Sequence, residues 1–476
     1  MINRERVFNN LMWRFLERCG AQGVSFVVSI ILARLLAPEA YGTIALITVF
    51  ITLLEVFVSS GFGTALVQKK GADDLDFSTV FYFNVVMCLA LYGILFLTAP
   101  YIAAFYEQPE LVPLIRVLGL TLIISGVKGV QQSYVSKKLL FKRFFFSTLG
   151  GTLISAVVGV VMAYKGYGVW ALIGQNLTNN VVNTAILWIT VKWRPKWMFS
   201  WIRLKSLFSY GWKLLVSSLL DTGYQDLHQL IIGKFYTTSD LAFYNKGNQL
   251  PKLFVTNINS SIDSVLLPTM AAEQSDYTRM KVMTRRAITI STYIMMPIMM
   301  GLAVCAVPLT RLLLTEKWIP SVIFLRIYCF SYAFYPIHTA NLNAIKAMGR
   351  SDLFLKLEIA KKAIGIVLLL ATMFISVEAM AYGLIISTLT SQIINSWPNK
   401  KLLGYSYLEQ VKDMLPQIAL SCVMGAVVYS VSFFDLGDVL TLLIQVPTGI
   451  VVYALCSWLF KVESFTYLLK MLKLTK

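Results

Sequence analysis

TVFYFNVVMCLALYGILFLTAP, residues 79–100, runs for the thickness of a bilayer without one charged side chain. A membrane-crossing helix needs about 20 such residues. Runs of this kind recur along the chain, near 11–34, 42–66, 79–100, 111–136, 144–164, 168–191 and 207–233, then 241–269, 286–312, 319–345, 353–376, 379–399, 413–433 and 438–460. The composition agrees: 57% of the 476 residues are hydrophobic, 14% are charged, and the mean hydropathy is +0.68. Soluble domains carry about 25% charge, so a water-soluble enzyme is excluded. A disordered chain needs low hydrophobicity. Barrel strands alternate apolar and polar residues, whereas these runs are continuous. The expected class is an all-α integral membrane protein with about fourteen transmembrane helices.

Lys and Arg number 42 against 24 Asp and Glu, a net charge of +18. In a membrane protein that excess belongs first to cytoplasmic loops rather than to nucleic acid. With the N-terminus inside, the inner segments hold clusters such as Lys137, Lys138, Lys142 and Arg143, or Lys192, Arg194, Lys196, Arg203 and Lys205. The outer loops hold only Lys165, Lys234, Arg311 and Lys317, so both termini are expected in the cytoplasm. The first apolar segment is interrupted by Arg14, Glu17 and Arg18 and reads as a retained span, not a cleaved signal. Cys19, Cys88, Cys305, Cys329, Cys422 and Cys456 lie in or beside apolar runs, and the histidines are His228 and His338, so no metal site or disulfide framework is expected.

Segment 192–206, KWRPKWMFSWIRLKS, suits a basic interfacial linker between two similar halves. Trp13-Arg14 and Trp212-Lys213 open matching spans, and Ile31-Leu32-Ala33-Arg34 is echoed by Ile231-Ile232-Gly233-Lys234. The expected organisation is a six-helix lobe over 1–191, the linker, a second lobe over 207–402, and two further helices with a basic tail over 403–476. Parallel repeats facing each other enclose a central cavity, as transporters do.

Polar residues form stripes inside the spans. Arg14, Arg18, Gln22, Ser25 and Ser29 share one helix face, as do Lys213, Ser217, Asp221, Tyr224 and His228. Thr48, Thr52, Glu55 and Ser59 make a third stripe; Asn245, Gln249, Lys252, Thr256, Asn259 and Asp263 make a fourth. Polar helix contacts are the plain reading. A charge at the bilayer centre costs about 2.5–3.5 kcal/mol on insertion scales, and full stripes bearing cations favour a wet cavity. Arg116, Lys128, Lys246 and Arg326 are further embedded cations. Their surplus points to an anionic cargo. The expected substrate-binding set is Arg14, Arg18, Arg116, Lys128, Lys213, Lys246, Lys252, Asn259 and Arg326. Coupling to H+ or Na+ would need an embedded acid, from Glu55, Asp221, Asp226 and Asp263; structural pairing with the lysines is the competing reading. Asp74-Leu75-Asp76 is a D-x-D, read as an acidic helix start rather than a metal site. No phosphate-binding loop of the G-x-x-x-x-G-K type occurs, and no catalytic residue or cofactor is expected.

The runs LARLLAPEAYGTIAL (32–46), GFGTALVQKKGADDLDFSTVFYFNV (61–85), QSYVSKKLLFKRF (132–144), AFYNKGNQLPKLFVTNINSSIDSVLLPTMA (242–271) and EKWIPSVIFLRIYCFSYAFYPIHTANLNAIKAMGRSD (316–352) resemble the Wzx-type flippases of the polysaccharide transporter family. The resemblance covers nearly the whole chain and is nearest the colanic acid and teichuronic acid exporter branch, in the superfamily that also holds multidrug extruders. It implies a bacterial inner-membrane protein that moves an undecaprenyl-diphosphate-linked oligosaccharide to the outer leaflet by alternating access, without enzymatic chemistry. It also implies surrounding membrane lipid and a polysaccharide polymerase or chain-length machinery as neighbours. By position, Arg14 and Arg18 resemble first-helix arginines of the lipid II flippase. An ion-coupled multidrug extruder of the same fold is the alternative; a membrane glycosyltransferase or polymerase would need a large outer loop or substrate-facing catalytic acids.

Overall fold

In the computed structural model, which describes residues 4–59, 62–69, 71–434 and 436–474, the chain is helical and shows no strand among the described residues. The helices are α1 (Arg4–Leu35), α2 (Pro38–Ser59), α3 (Phe62–Gln68), α4 (Asp74–Phe105), α5 (Leu111–Leu118), α6 (Leu120–Lys137), α7 (Phe141–Tyr164), α8 (Val169–Thr190), α9 (Trp201–Phe235) and α10 (Thr238–Ala272). They continue with α11 (Tyr277–Val304), α12 (Ala306–Leu314), α13 (Ser321–Ala333), α14 (Tyr335–Ala347), α15 (Ser351–Thr372), α16 (Val377–Leu402), α17 (Tyr407–Ser430), α18 (Asp438–Leu459) and α19 (Glu463–Leu474). Among the described residues, eight stretches are long and apolar enough to cross a membrane. Residues 79–100 lie in α4, one of these. Helices α9 and α10 have 35 residues each, ample length, but their polar stripes keep them out of that set.

Local chemistry sets the helix ends. Asp73 caps α4 by accepting from the Asp76 amide at 3.0 Å, and the Asp76 carboxylate accepts from the Asp73 amide at 3.3 Å. Ser406 and Glu409 repeat this box at α17. Gly166 and Gly168, at φ +80° and +55°, turn the chain between α7 and α8. The α1–α2 turn ends one helix at Leu35 and starts the next at Pro38; the α9–α10 turn does the same at Phe235 and Thr238, 200 residues on.

The chain divides into two compact units, Met1–Ala242 and Phe243–Lys476. In the first, α7 packs on α8 and α1, and α9 lies against α2. The stretch read as a linker is irregular only to Ser200, and Trp201 opens α9. It is tied down along α4. The Lys196 amide donates to Ser78 Oγ at 3.0 Å, the Ser200 amide to Thr79 Oγ1 at 3.1 Å, and Gln131 Nε2 to the Trp193 carbonyl at 3.1 Å. Trp193 is buried with Phe77, Phe81, Val130 and Leu204, whereas Trp197 and Trp201 are exposed.

In the second unit α11 packs on α17 and α13. Amides are among the polar contacts that join α14, α16 and α17: Asn341 Nδ2 donates to Gln410 Oε1 at 2.8 Å, and Asn399 Nδ2 to Asn341 Oδ1 at 2.6 Å. All three side chains are fully buried. Away from water, an amide can satisfy itself only on another polar group, so these pairs lock helix register.

Candidate functional site

The first unit holds a cavity of about 590 Å³ lined by α2, α3, α6 and α8, with polar side chains set among apolar ones. Helical spacing puts Thr48, Thr52, Glu55 and Ser59 of α2 on its wall. Helix α6 adds Ser125, Lys128 and Gln132, and α8 adds Asn176 and Asn180. Ser125 Oγ donates to Glu55 Oε1 at 3.0 Å. Lys128 Nζ donates to Asn180 Oδ1 at 2.8 Å. A carboxylate and an ammonium thus face one hollow, each held by a neutral polar partner. Such a hollow stabilises small charged or hydroxylated groups in place of water. The α9 stripe meets the α2 stripe beside it: Thr52 Oγ1 donates to Asp226 Oδ2 at 3.2 Å, and Gln229 Nε2 to Asp226 Oδ1 at 2.9 Å.

Of the residues expected to bind substrate, Lys128 lines this cavity; of those expected to couple an ion, Glu55 lines it and Asp226 adjoins it. The other described residues of these sets lie elsewhere. Arg116 places its guanidinium 4.0 Å from the Phe96 ring centre and donates from Nε to the Phe96 carbonyl at 3.3 Å. Arg326 donates from Nε to the Ala303 carbonyl at 3.2 Å, in the corresponding place of the second unit. Lys246 sits 5.5 Å from the Trp318 ring centre. Lys213, Asp221 and Lys252 are exposed on α9 and α10. Asn259 is buried, and its Oδ1 has no hydrogen-bond partner among the described residues. Asp263 is exposed and accepts from Asn343 Nδ2 at 2.6 Å. Arg14 and Arg18 belong to α1, but their side chains lie outside the described residues.

Sequence reasoning passed over Ser125, Asn176 and Asn180. The two asparagines are four residues apart in QNLTNN (175–180), a one-face spacing that marks them in hindsight. The D-x-D carboxylates are engaged in structure. Asp76 is fully buried, 2.6 Å from Lys69 Nζ and 3.3 Å from Arg203 Nη1. Asp74 lies 2.6 Å from Lys196 Nζ and accepts from Trp193 Nε1 at 3.1 Å. The Asp76 amide, and then the Arg203 and Lys69 charges, hold the Asp73 carboxyl below the usual carboxylate range.

A second group of contacts ties the α9–α10 turn to the α1–α2 turn and to the end of α4. Ser239 Oγ donates to Glu39 Oε1 at 2.7 Å. Lys234 Nζ reaches Glu107 Oε1 at 2.9 Å and the Phe105 carbonyl at 2.6 Å. The hydrogen bond from Lys234, reinforced by its charge, holds the Glu107 carboxyl below its ordinary value. Gly42 lies against the Thr238 backbone so closely that a Cβ there would fall 1.7 Å from the Thr238 carbonyl oxygen.

The model of a family described as polysaccharide biosynthesis protein matches residues 31–323. Teichuronic acid biosynthesis protein TuaB of Bacillus subtilis (strain 168) is 23% identical, with 86% of each chain covered. Lipopolysaccharide biosynthesis protein WzxC of Escherichia coli (strain K12) is 22% identical over 89% of this chain and 88% of its own. Succinoglycan biosynthesis transport protein ExoT of Rhizobium meliloti (strain 1021) is 24% identical over 67% of this chain, and the match spans 64% of its own length. Among solved structures, lipid II flippase MurJ in an inward closed conformation superposes with a TM-score of 0.77 at 14% identity, over 94% of this chain and 98% of that one. An inward-facing MATE-family multidrug resistance transporter of the MOP superfamily gives 0.65 at 16% identity, over 80% and 94%. These two likenesses are of fold.

Proposed function

The chain belongs to the family of polysaccharide biosynthesis proteins, and from that premise we propose that it is a flippase, not an enzyme. In this reading it carries an undecaprenyl-diphosphate-linked oligosaccharide from the inner to the outer leaflet of the bacterial cytoplasmic membrane. WzxC and ExoT, named for lipopolysaccharide biosynthesis and succinoglycan transport, are relatives of the kind this reading requires. The observation that carries it is the hollow holding Lys128, Glu55 and Asn180 amid apolar helices. Phosphate oxygens cannot cross hydrocarbon bare. A cavity whose donors replace their water removes that barrier, and charge-assisted bonds from a lysine are strong donors. The polyprenyl tail stays in lipid.

The same reading takes both termini as cytoplasmic, which places the Glu39–Ser239 and Glu107–Lys234 contacts on the outer side. There they tie the α9–α10 turn to the α1–α2 turn and to the end of α4. The fourteen-span plan, with lobes over 1–191 and 207–402, belongs to this reading, as do headgroup contacts from Arg14, Arg18, Arg116, Lys213, Lys246, Lys252, Asn259 and Arg326. Coupling to H+ or Na+ falls to Glu55, the acid in the cavity, with Asp226 beside it; Asp221 and Asp263 are alternatives. Handing the flipped unit to a polymerase completes the path. Deleting the gene is expected to leave lipid-linked repeat units in the inner leaflet, read by enzymatic labelling from one side of oriented vesicles. Undiminished outer-leaflet labelling would refute the reading. An ion-coupled extruder of small molecules would instead require Glu55 and tolerate loss of Lys128.

A further inference from the structure

In the second unit, α13 and α14 are two halves of an interrupted helix. Phe334 breaks it at φ −94° and ψ 0°, and Pro336 restarts it in the first turn of α14. Interrupted helices within a membrane occur where the backbone is enclosed by protein or lines a cavity. Tyr335 stands at this break with 42% of its surface exposed. It ends a row of rings. Tyr244 and Tyr328 are 5.6 Å apart, Tyr328 and Tyr332 5.7 Å, Tyr332 and Tyr335 6.1 Å, and Tyr335 and His338 5.6 Å. Tyr244 and Tyr328 are buried, so the row backs Tyr335 rigidly.

Hydrogen-bonding groups lie on the helices that touch α14. Asp263 of α10 is exposed and is fixed by Asn343 at 2.6 Å. Glu358 and Lys361 of α15 pair at 2.5 Å. His338 Nδ1 lies 2.9 Å from Asn395 Nδ2. Tyr335 and Asn343 both lie on α14, so Asp263 is held about two helical turns from the ring. Charged side chains within a membrane seldom face hydrocarbon, so in the flippase reading this face meets water or cargo. It does not suit a diphosphate, which two carboxylates would repel. A flat aromatic face with fixed acceptors on neighbouring helices suits a sugar: ring C–H groups pack on the aromatic face, and hydroxyls donate to carboxylate oxygens.

Resting on the flippase reading, we propose that Tyr335 and Asp263 form a sugar-binding subsite, with Tyr335 stacking on a pyranose face and Asp263 accepting from its hydroxyls. Asn343 is the positioning residue that orients the carboxylate. The subsite grips the glycan, and the cations grip the diphosphate.

The test is equilibrium binding to the full-length protein in lipid nanodiscs. One probe is bare undecaprenyl diphosphate; the other is the lipid-linked oligosaccharide extracted from cells lacking the gene. Tyr335→Ala is expected to weaken the oligosaccharide-lipid by about 2- to 12-fold, the range of an aromatic contact, and to leave the bare lipid unchanged. Tyr335→Phe keeps the ring and is expected to bind both as wild type does. Asp263→Asn is expected to weaken only the oligosaccharide-lipid. Equal loss for both probes, no loss for either, or a loss in Tyr335→Phe as large as in Tyr335→Ala overturns the subsite. Wild-type protein that binds neither probe refutes the flippase reading itself, and the subsite with it.

Discussion

Gly42→Ala is the sharpest probe of the contact between α2 and the α9–α10 turn. The added methyl would lie 1.7 Å from the Thr238 carbonyl oxygen, 2.5 Å from its carbon and 2.9 Å from its Cα. Carbon and oxygen rest at about 3.3 Å or more, so the gap must widen by roughly 1.6 Å. Both sides are backbone, and no flexible side chain can yield. Overpacking of this kind costs about 1–3 kcal/mol. If this contact is made in one of two states in balance, that cost shifts the balance about 5- to 150-fold toward the state without it. Glu39 and Ser239 supply the reporter, since their side-chain oxygens are 2.7 Å apart. With the natural cysteines replaced, Glu39→Cys and Ser239→Cys are expected to cross-link readily. Adding Gly42→Ala is expected to slow that cross-link and to raise labelling of Cys-substituted 239 by an impermeant maleimide by the same factor. Gly23→Ala, where a Cβ meets nothing within 4 Å, is the control. Cross-linking and labelling at control rates in the Gly42→Ala protein would refute the argument.

Other outcomes follow from the same geometry. Lys128→Ala removes a charged hydrogen bond to Asn180, worth about 1.5–3 kcal/mol; surface polymer is expected to fall at least tenfold while membrane insertion stays normal. Arg203→Ala leaves buried Asp76 with Lys69 as its remaining ion-pair partner. Because Arg203 is partly exposed, the loss is expected to be about 1–2 kcal/mol, seen as a Tm lower by a few degrees in detergent. The lowered Asp73 pKa makes its share of stability present above the unfolded value, about pH 4. That share is lost as pH falls through the lower folded value. The acid limb of Tm against pH is therefore expected to flatten in Asp73→Asn; an unchanged limb counts against the cap.

Membership of a helix was written locally. An uncharged run such as 79–100 can satisfy its backbone in lipid only by coiling, and Asp73, Ser406 and Pro38 mark helix ends through the amides they cap or lack. The two turns 200 residues apart, after Leu35 and after Phe235, were marked by similar residues in the chain. The polar stripes of α9 and α10 were seen as stripes, yet a window average misses them. The candidate site was half legible. Glu55 and Lys128 stood out as charges within apolar runs, whereas Ser125 and Asn180, small neutral groups, did not.

Residue type and spacing along single helices were enough to read an all-helical membrane chain and its surplus of cations in apolar runs. Tertiary structure alone decided which cations share a hollow. Arg116 and Arg326 turn onto neighbouring backbone carbonyls, Lys246 onto a ring, and Lys128 into a cavity with Glu55. The reason is physical: helical periodicity gives the direction in which a side chain leaves its own helix, and what it meets there depends on the packing of helices distant in sequence.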